Sequence, residues 1–142
     1  MRNLITCLSV CVLSAATFAE TWTVDDDGKA DFNNIQAAVD AASDGDEIIV
    51  MPGTYTYTGL GSYLISIEKN IWLHSAEGSA VTIIDGQVSD SFNSYIVINS
   101  EATFEGFKVV GARMNLLNSP IVKDCHFQEN YGSYGGAMYI AD

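Results

Sequence analysis

The chain has 142 residues, of which 48% are hydrophobic and 17% charged, enough for one folded domain. Six Lys and Arg against 18 Asp and Glu give a formal charge of −12, which would repel phosphate and argues against a nucleic-acid partner. Abundant apolar and aromatic residues exclude a disordered chain, the 12 glycines follow no three-residue period of collagen type, and many Ile, Val, Thr, Tyr and Phe with only two prolines favour β structure.

The first 19 residues, MRNLITCLSVCVLSAATFA, read as an export signal rather than as fold. Arg2 supplies the positive start, Leu4 to Ala16 is an apolar run too short to span a bilayer comfortably, and Thr17-Phe18-Ala19 ends on a small residue. Cleavage is expected after Ala19, giving a secreted or cell-surface protein. An uncleaved anchor is the alternative. A lipoprotein fits less well, because Leu8-Ser9-Val10-Cys11 carries valine where a lipobox wants a small residue. Removal of residues 1–19 leaves five basic against 18 acidic residues, a charge of 5 − 18 = −13. It leaves Cys125 as the one cysteine, so no internal disulfide can form. A lone cysteine between apolar neighbours reads as core rather than as a reactive thiol. No later stretch is long and apolar enough for a membrane span.

Residues 20–46 read as an N-terminal cap. Trp22 to Val24 alternates like a short strand and Asp25-Asp26-Asp27-Gly28 is a turn. Phe32, Ile35, Ala38, Val39 and Ala42 then form one apolar stripe, which predicts a helix over Asp31 to Ser43 with Asp31 as N-cap and Gly45 as the stop. Residues 47–142 read as short strands with turns between them. The strands are Glu47 to Met51, Tyr63 to Ile67, Ile71 to His74, Val81 to Ile84, Tyr95 to Ile98, Thr103 to Val110, Met114 to Leu117, Ile121 to Phe127 and Met138 to Ile140. Pro52-Gly53-Thr54 is read as a turn and Gln87 to Ser94 as an inserted loop.

Strands this short and numerous suggest a sandwich, a barrel or a solenoid, and internal repetition points to the last. Ile48-Ile49-Val50, Ile71-Trp72-Leu73, Phe107-Lys108-Val109 and Cys125-His126-Phe127 share an apolar–variable–apolar pattern. Tyr95 to Ile98, Asn115-Leu116-Leu117 and Met138-Tyr139-Ile140 form a second set. A turn of roughly 20 to 25 residues is expected.

Val24-Asp25-Asp26-Asp27-Gly28, Ala30-Asp31-Phe32, Ile35 to Ala42, Gly45 to Val50 and Pro52-Gly53-Thr54-Tyr55 together resemble the N-terminal cap and first coil of pectin-lyase-like right-handed parallel β-helix proteins. Phe127-Gln128-Glu129-Asn130 followed by Gly135-Gly136-Ala137-Met138 resembles the FxxN and GGA-I motifs of polymorphic outer-membrane protein repeats, with methionine for the usual isoleucine. The resemblance implies an all-β, right-handed single-stranded parallel β-helix of about four coils, with a capping helix over its N-terminal end. Nothing equivalent follows Met138-Tyr139-Ile140. The expectation is therefore either a truncated chain or self-association through the uncapped C-terminal coil.

Enzymes of that family use carboxylates on one sheet with a basic residue or calcium nearby, in coils well past the cap, and no such pair is legible in this chain. If the apolar members of each triplet point inward, Ile49, Trp72, Lys108 and His126 point outward in a row. Trp72, Lys108 and His126 are the candidate ligand-binding residues: the indole would stack on a sugar ring and a cation would meet an acidic group. The plainer reading of the same row is an ordinary solvated face. Asp25, Asp26, Asp27 and Asp31 resemble half of a calcium loop, but Asn33 stands where the terminal carboxylate should be, so a turn plus an N-cap is the preferred reading and no metal or other cofactor is expected. His74 next to Ser75 has no visible triad partner. The expected function is a non-catalytic surface module for adhesion or contact with a polysaccharide or cell-surface glycan. The alternative is the N-terminal part of a polysaccharide lyase or glycoside hydrolase acting on acidic polysaccharides, with catalytic residues beyond Asp142.

Overall fold

A computed structural model describes residues 18–56, 63–86, 95–130 and 138–140. Most of the leader, the Gln87 to Ser94 insertion and the Gly135-Gly136-Ala137 stretch lie outside the described residues. What is described is mostly short strand, with one helix.

The strands are β1 (Thr21–Val24), β2 (Glu47–Val50), β3 (Gly53–Thr56), β4 (Ile65–Ile67), β5 (Trp72–Ser75), β6 (Thr82–Asp85), β7 (Tyr95–Asn99), β8 (Thr103–Glu105), β9 (Lys108–Val110), β10 (Arg113–Leu117), β11 (Ile121–Lys123), β12 (His126–Gln128) and β13 (Met138–Ile140). They form three sheets, ordered β1-β2-β5-β8-β11, β3-β6-β9-β12 and β4-β7-β10-β13. Every pairing between these strands is parallel. From β2 onward the chain visits the three sheets in fixed rotation, and each strand from β2 to β10 hydrogen-bonds to the strand three places later.

The alternation of side chains fixes which residues are buried. Ile48, Leu73 and Phe104 stack in register across the five-stranded sheet. Ile84 and Val109 do so in the second sheet, and Ile67, Ile98 and Leu116 in the third. All of these are buried, and with Phe107, Ile96 and Met114 they form one core. The rings of Phe104 and Phe107 meet at 4.6 Å between centroids. Burying one such side chain is worth about 1.5–3 kcal/mol.

The helix, α1 (Ile35–Ala41), lies where the apolar stripe predicts: Ile35, Ala38, Val39 and Ala42 are buried. Its limits differ from the expected ones. Asn34, not Asp31, is the N-cap, its Oδ1 accepting the Ala37 N–H at 2.8 Å. Asp31 instead accepts from both the N–H and the hydroxyl of Thr23, which ties the turn to β1. Two good cap formers stand three residues apart, and the one with a competing strand partner is displaced. The helix ends at Ala41, with Ala42 as its cap, and Gly45 sits at φ +93° in the turn that follows. Lys69 closes the helix from outside. Its Nζ donates to the carbonyls of Ala42, Asp40 and Val39 at 2.6, 2.8 and 3.0 Å, supplying charge where the helix dipole is negative.

Three strand limits also depart from the sequence reading. Thr103 to Val110 is two strands, broken at Gly106, which turns the chain at φ +77°. Ile121 to Phe127 breaks at the equivalent place, where Asp124 takes φ +53°. The Gly106 N–H donates to the Lys123 carbonyl, so the two corners lie one above the other. Pro52-Gly53-Thr54 is not simply a turn, because Gly53 opens β3 and pairs with Thr82.

Candidate functional site on the outer face of the five-stranded sheet

The outward positions of the five-stranded sheet form two columns. One runs Thr21, Glu47, Trp72, Thr103, Ile121 and the other Thr23, Ile49, His74, Glu105, Lys123. Parallel pairing places successive members at the strand spacing, about 4.8 Å apart, so neighbouring side chains must either bond or repel.

They bond. Trp72 is 43% exposed. Its indole N–H donates to Glu105 Oε2 at 2.8 Å, and its ring stacks on the His74 imidazole with centroids 4.2 Å apart and planes 24° from parallel. His74 Nε2 meets Glu47 Oε1 at 3.0 Å, and its Nδ1 lies 3.2 Å from the Ser75 carbonyl. Glu47 also accepts from the Thr21 hydroxyl. Glu105 pairs with Lys123 at 3.0 Å. These donors, Lys123 first and the indole after it, hold the Glu105 carboxyl below the usual range. The result is a cross-linked face on which one large, partly exposed ring is held by its neighbours.

Of the four residues expected to share a row, Ile49, Trp72, Lys108 and His126, only Lys108 and His126 do so. Lys108 and His126 are in register on β9 and β12, behind Ile83 on β6. Trp72 lies in a different sheet, facing Glu47 and Thr103. The three therefore do not form one row. Ile49 likewise pairs with His74 and not with Trp72. The apolar–variable–apolar pattern is common to all three sheets, so overlaying it mixed two of them. The second set of repeats does fall in one sheet, but Asn115 faces Tyr139, so the overlay is one residue out of step. Glu47, His74, Glu105 and Lys123 were not singled out as partners of Trp72. The signal that finds them is the central apolar residue: aligning Glu47-Ile48-Ile49, Trp72-Leu73-His74, Thr103-Phe104-Glu105 and Ile121-Val122-Lys123 on their middle positions gives the columns directly.

The remaining candidates are occupied locally. Asp25 accepts from the Asp27 N–H. Asp27 pairs with Lys29. Asp26 accepts from the Thr54 N–H at 3.1 Å. Among the described residues no group of three or more His, Cys, Asp or Glu is placed to hold a metal. The Ser75 hydroxyl contacts Thr82 at 2.7 Å and accepts the N–H groups of Glu77 and Gly78, and His74 faces the Ser75 carbonyl rather than its hydroxyl. Cys125 packs against the core with its Sγ toward the Lys123 carbonyl, and burial pushes the thiol pKa up, as suits a packing cysteine rather than a nucleophile. On the third sheet, Tyr95, Arg113, Asn115 and Tyr139 line a shallow recess of about 360 Å³. There Arg113 donates to the Tyr95 hydroxyl at 2.7 Å and lies 5.2 Å from its ring centroid.

The Asn of the FxxN motif has a structural use. Asn130 Oδ1 accepts the Ala112 N–H at 3.0 Å, joining two successive passes of the chain. No helix among the described residues is long and apolar enough to cross a membrane. Comparisons with protein-family models, curated proteins and solved structures find no significant match.

Proposed function

We propose that the chain is a secreted or cell-surface module whose three sheets wind as a right-handed parallel β-helix, non-catalytic as it stands, that contacts glycan through Trp72 and the polar side chains around it. The fixed rotation of the strands through three parallel sheets supports the solenoid reading. So does the N-terminal covering helix, which fits the resemblance to pectin-lyase-like proteins. Fold likeness alone says nothing of activity.

The observation that carries the functional reading is the half-exposed Trp72 ring, held by Glu105 and His74 on the outer side of the five-stranded sheet. Pyranose rings stack on such surfaces through their C–H groups, and an indole that is already immobilised loses little entropy on binding. Glu47, Thr103 and Lys123 offer hydrogen-bonding groups at strand spacing around it. Both flanking carboxylates are committed to neighbours, Glu47 to His74 and Glu105 to Trp72 and Lys123, which favours contact over proton transfer.

The test is a glycan array followed by fluorescence titration. Binding that shifts tryptophan emission, falls at least tenfold in Trp72→Ala and is unchanged in Lys108→Ala and His126→Ala supports this reading. Binding that survives Trp72→Ala overturns it. Glycan cleavage by the purified chain would overturn the non-catalytic reading.

A further inference from the structure

We propose that Asp46 is the receptor for the α-amino group of a processed chain beginning at Glu20, so that removal of the leader creates an ion pair the unprocessed chain lacks. The proposal rests on the export reading above and goes beyond it, because it gives the cleaved terminus a structural task.

Asp46 is a carboxylate only 4% exposed, at the junction of three segments. Its Oδ1 accepts the backbone N–H of Glu20 at 2.8 Å. Its Oδ2 accepts the Ser43 N–H at 2.8 Å and the Trp22 indole N–H at 3.2 Å. All three donors are neutral while the chain continues ahead of Glu20. Among the described residues no Lys, Arg or His lies within ion-pairing distance of it. The Lys69 ammonium acts on Asp46 only from beyond that distance, bonded to the carbonyls that end α1, and a buried carboxylate whose direct donors are all neutral is better satisfied if one of them becomes a cation.

Cleavage does this at the right atom. Water adds across the Ala19–Glu20 amide under a leader peptidase; Ala19 keeps the new carboxylate and Glu20 nitrogen leaves as an amine that takes up a proton. The nitrogen now carrying positive charge is the one already 2.8 Å from Asp46 Oδ1. Charge-assisted hydrogen bonds are roughly twice as strong as neutral ones.

A second observation falls on the same bond. Phe18 is 85% exposed and Ala19 is exposed. Glu20 makes the first hydrogen bonds of the described chain, donating to Asp46 and accepting the Glu47 N–H at 2.9 Å. The small residue that marks the cleavage site in the sequence is thus the last one before the fold takes hold.

The experiment uses protein exported from the full-length gene. N-terminal sequencing should give Glu20 as the first residue. Competitive acylation of the α-amino group with acetic anhydride, followed across pH, should then give a titration at least one unit above the ordinary 7.7–8.0, with acylation at pH 8 several-fold slower than for an unfolded control. In Asp46→Asn it should return to the ordinary range. A raised amino pKa makes its stabilisation complete below about 7.7 and lost as pH rises through the folded value, so the wild type should lose thermal stability between pH 8 and 10 by more than Asp46→Asn does. A start at another residue overturns the proposal through the export reading. A start at Glu20 with an ordinary titration overturns the ion pair alone. The wild-type titration decides even if the variant does not fold, and none of these readouts depends on glycan binding.

Discussion

At the end covered by α1, Val24, Ile48, Val50 and Leu73 are fully buried. At the other end the corresponding inward residues, Val122, Cys125, Phe127 and Met138, are only partly buried, and Ile140, opposite the buried Leu116, is exposed. The alternation of apolar residues is equally good at both ends. Alternation decides which face a side chain points to, whereas the strands stacked before and after it decide how completely it leaves water. Phe104 has a neighbour on each side, Leu73 and Val122. Phe127 has Val109 on one side only among the described residues.

The largest expected effects break the covered end. Ile35→Asp would place a charge under the helix, in contact with the core, and should cost at least about 3 kcal/mol, read as loss of the cooperative urea transition. Phe104→Ala should cost about 3–5 kcal/mol and Phe127→Ala less than half as much. Equal losses in denaturant titrations would show that the last strands are buried as well as the inner ones. Lys69→Met keeps much of the side-chain packing but removes three charge-assisted bonds to the carbonyls that end α1, for about 2 kcal/mol. Hydrogen exchange should rise in Ile35–Ala41 and stay unchanged in β9 and β12.

A pH series sharpens the same contrast. The Asp46 carboxyl is held below the ordinary 3.8 of an aspartate, first by the Glu20 N–H and then by the Ser43 N–H. A lowered folded pKa means that its contribution is fully present above about 3.8 and is lost as pH falls through the folded value. Urea midpoints should therefore drop below pH 4 in the wild type, and by less in Asp46→Asn. The smallest effect belongs to the far end: His126→Ala, at an exposed outward position, should change stability by no more than about 0.5 kcal/mol. A loss of several kcal/mol would mean that β12 is turned the other way.

Much of this was legible in the chain. The stripe of Ile35, Ala38, Val39 and Ala42 located the helix, and period-two alternation located most strands and their inward residues. The helix cap was not, because Asp31 and Asn34 both qualify and the choice depends on Thr23, a residue in β1. The partnership of Trp72 with Glu105 needs the register of β5 on β8, which aligning Leu73 with Phe104 gives and the apolar–variable–apolar overlay does not. Neither corner follows from alternation: Gly106 stands inside what reads as one strand from Thr103 to Val110, and Asp124 takes a left-handed backbone that its residue type does not demand.

The order of the ladders has a mechanical consequence. Each inner strand is hydrogen-bonded to its predecessor and successor in the same sheet, and in the β-helix proposed above those bonds run along the stack. Tension applied at the two ends of the chain therefore acts on one layer at a time and does not shear all the sheets together. Under an atomic force microscope the molecule should lengthen in a series of small steps. The layer carrying β11 to β13 should peel first, and the segment fastened by Lys69 should hold longest.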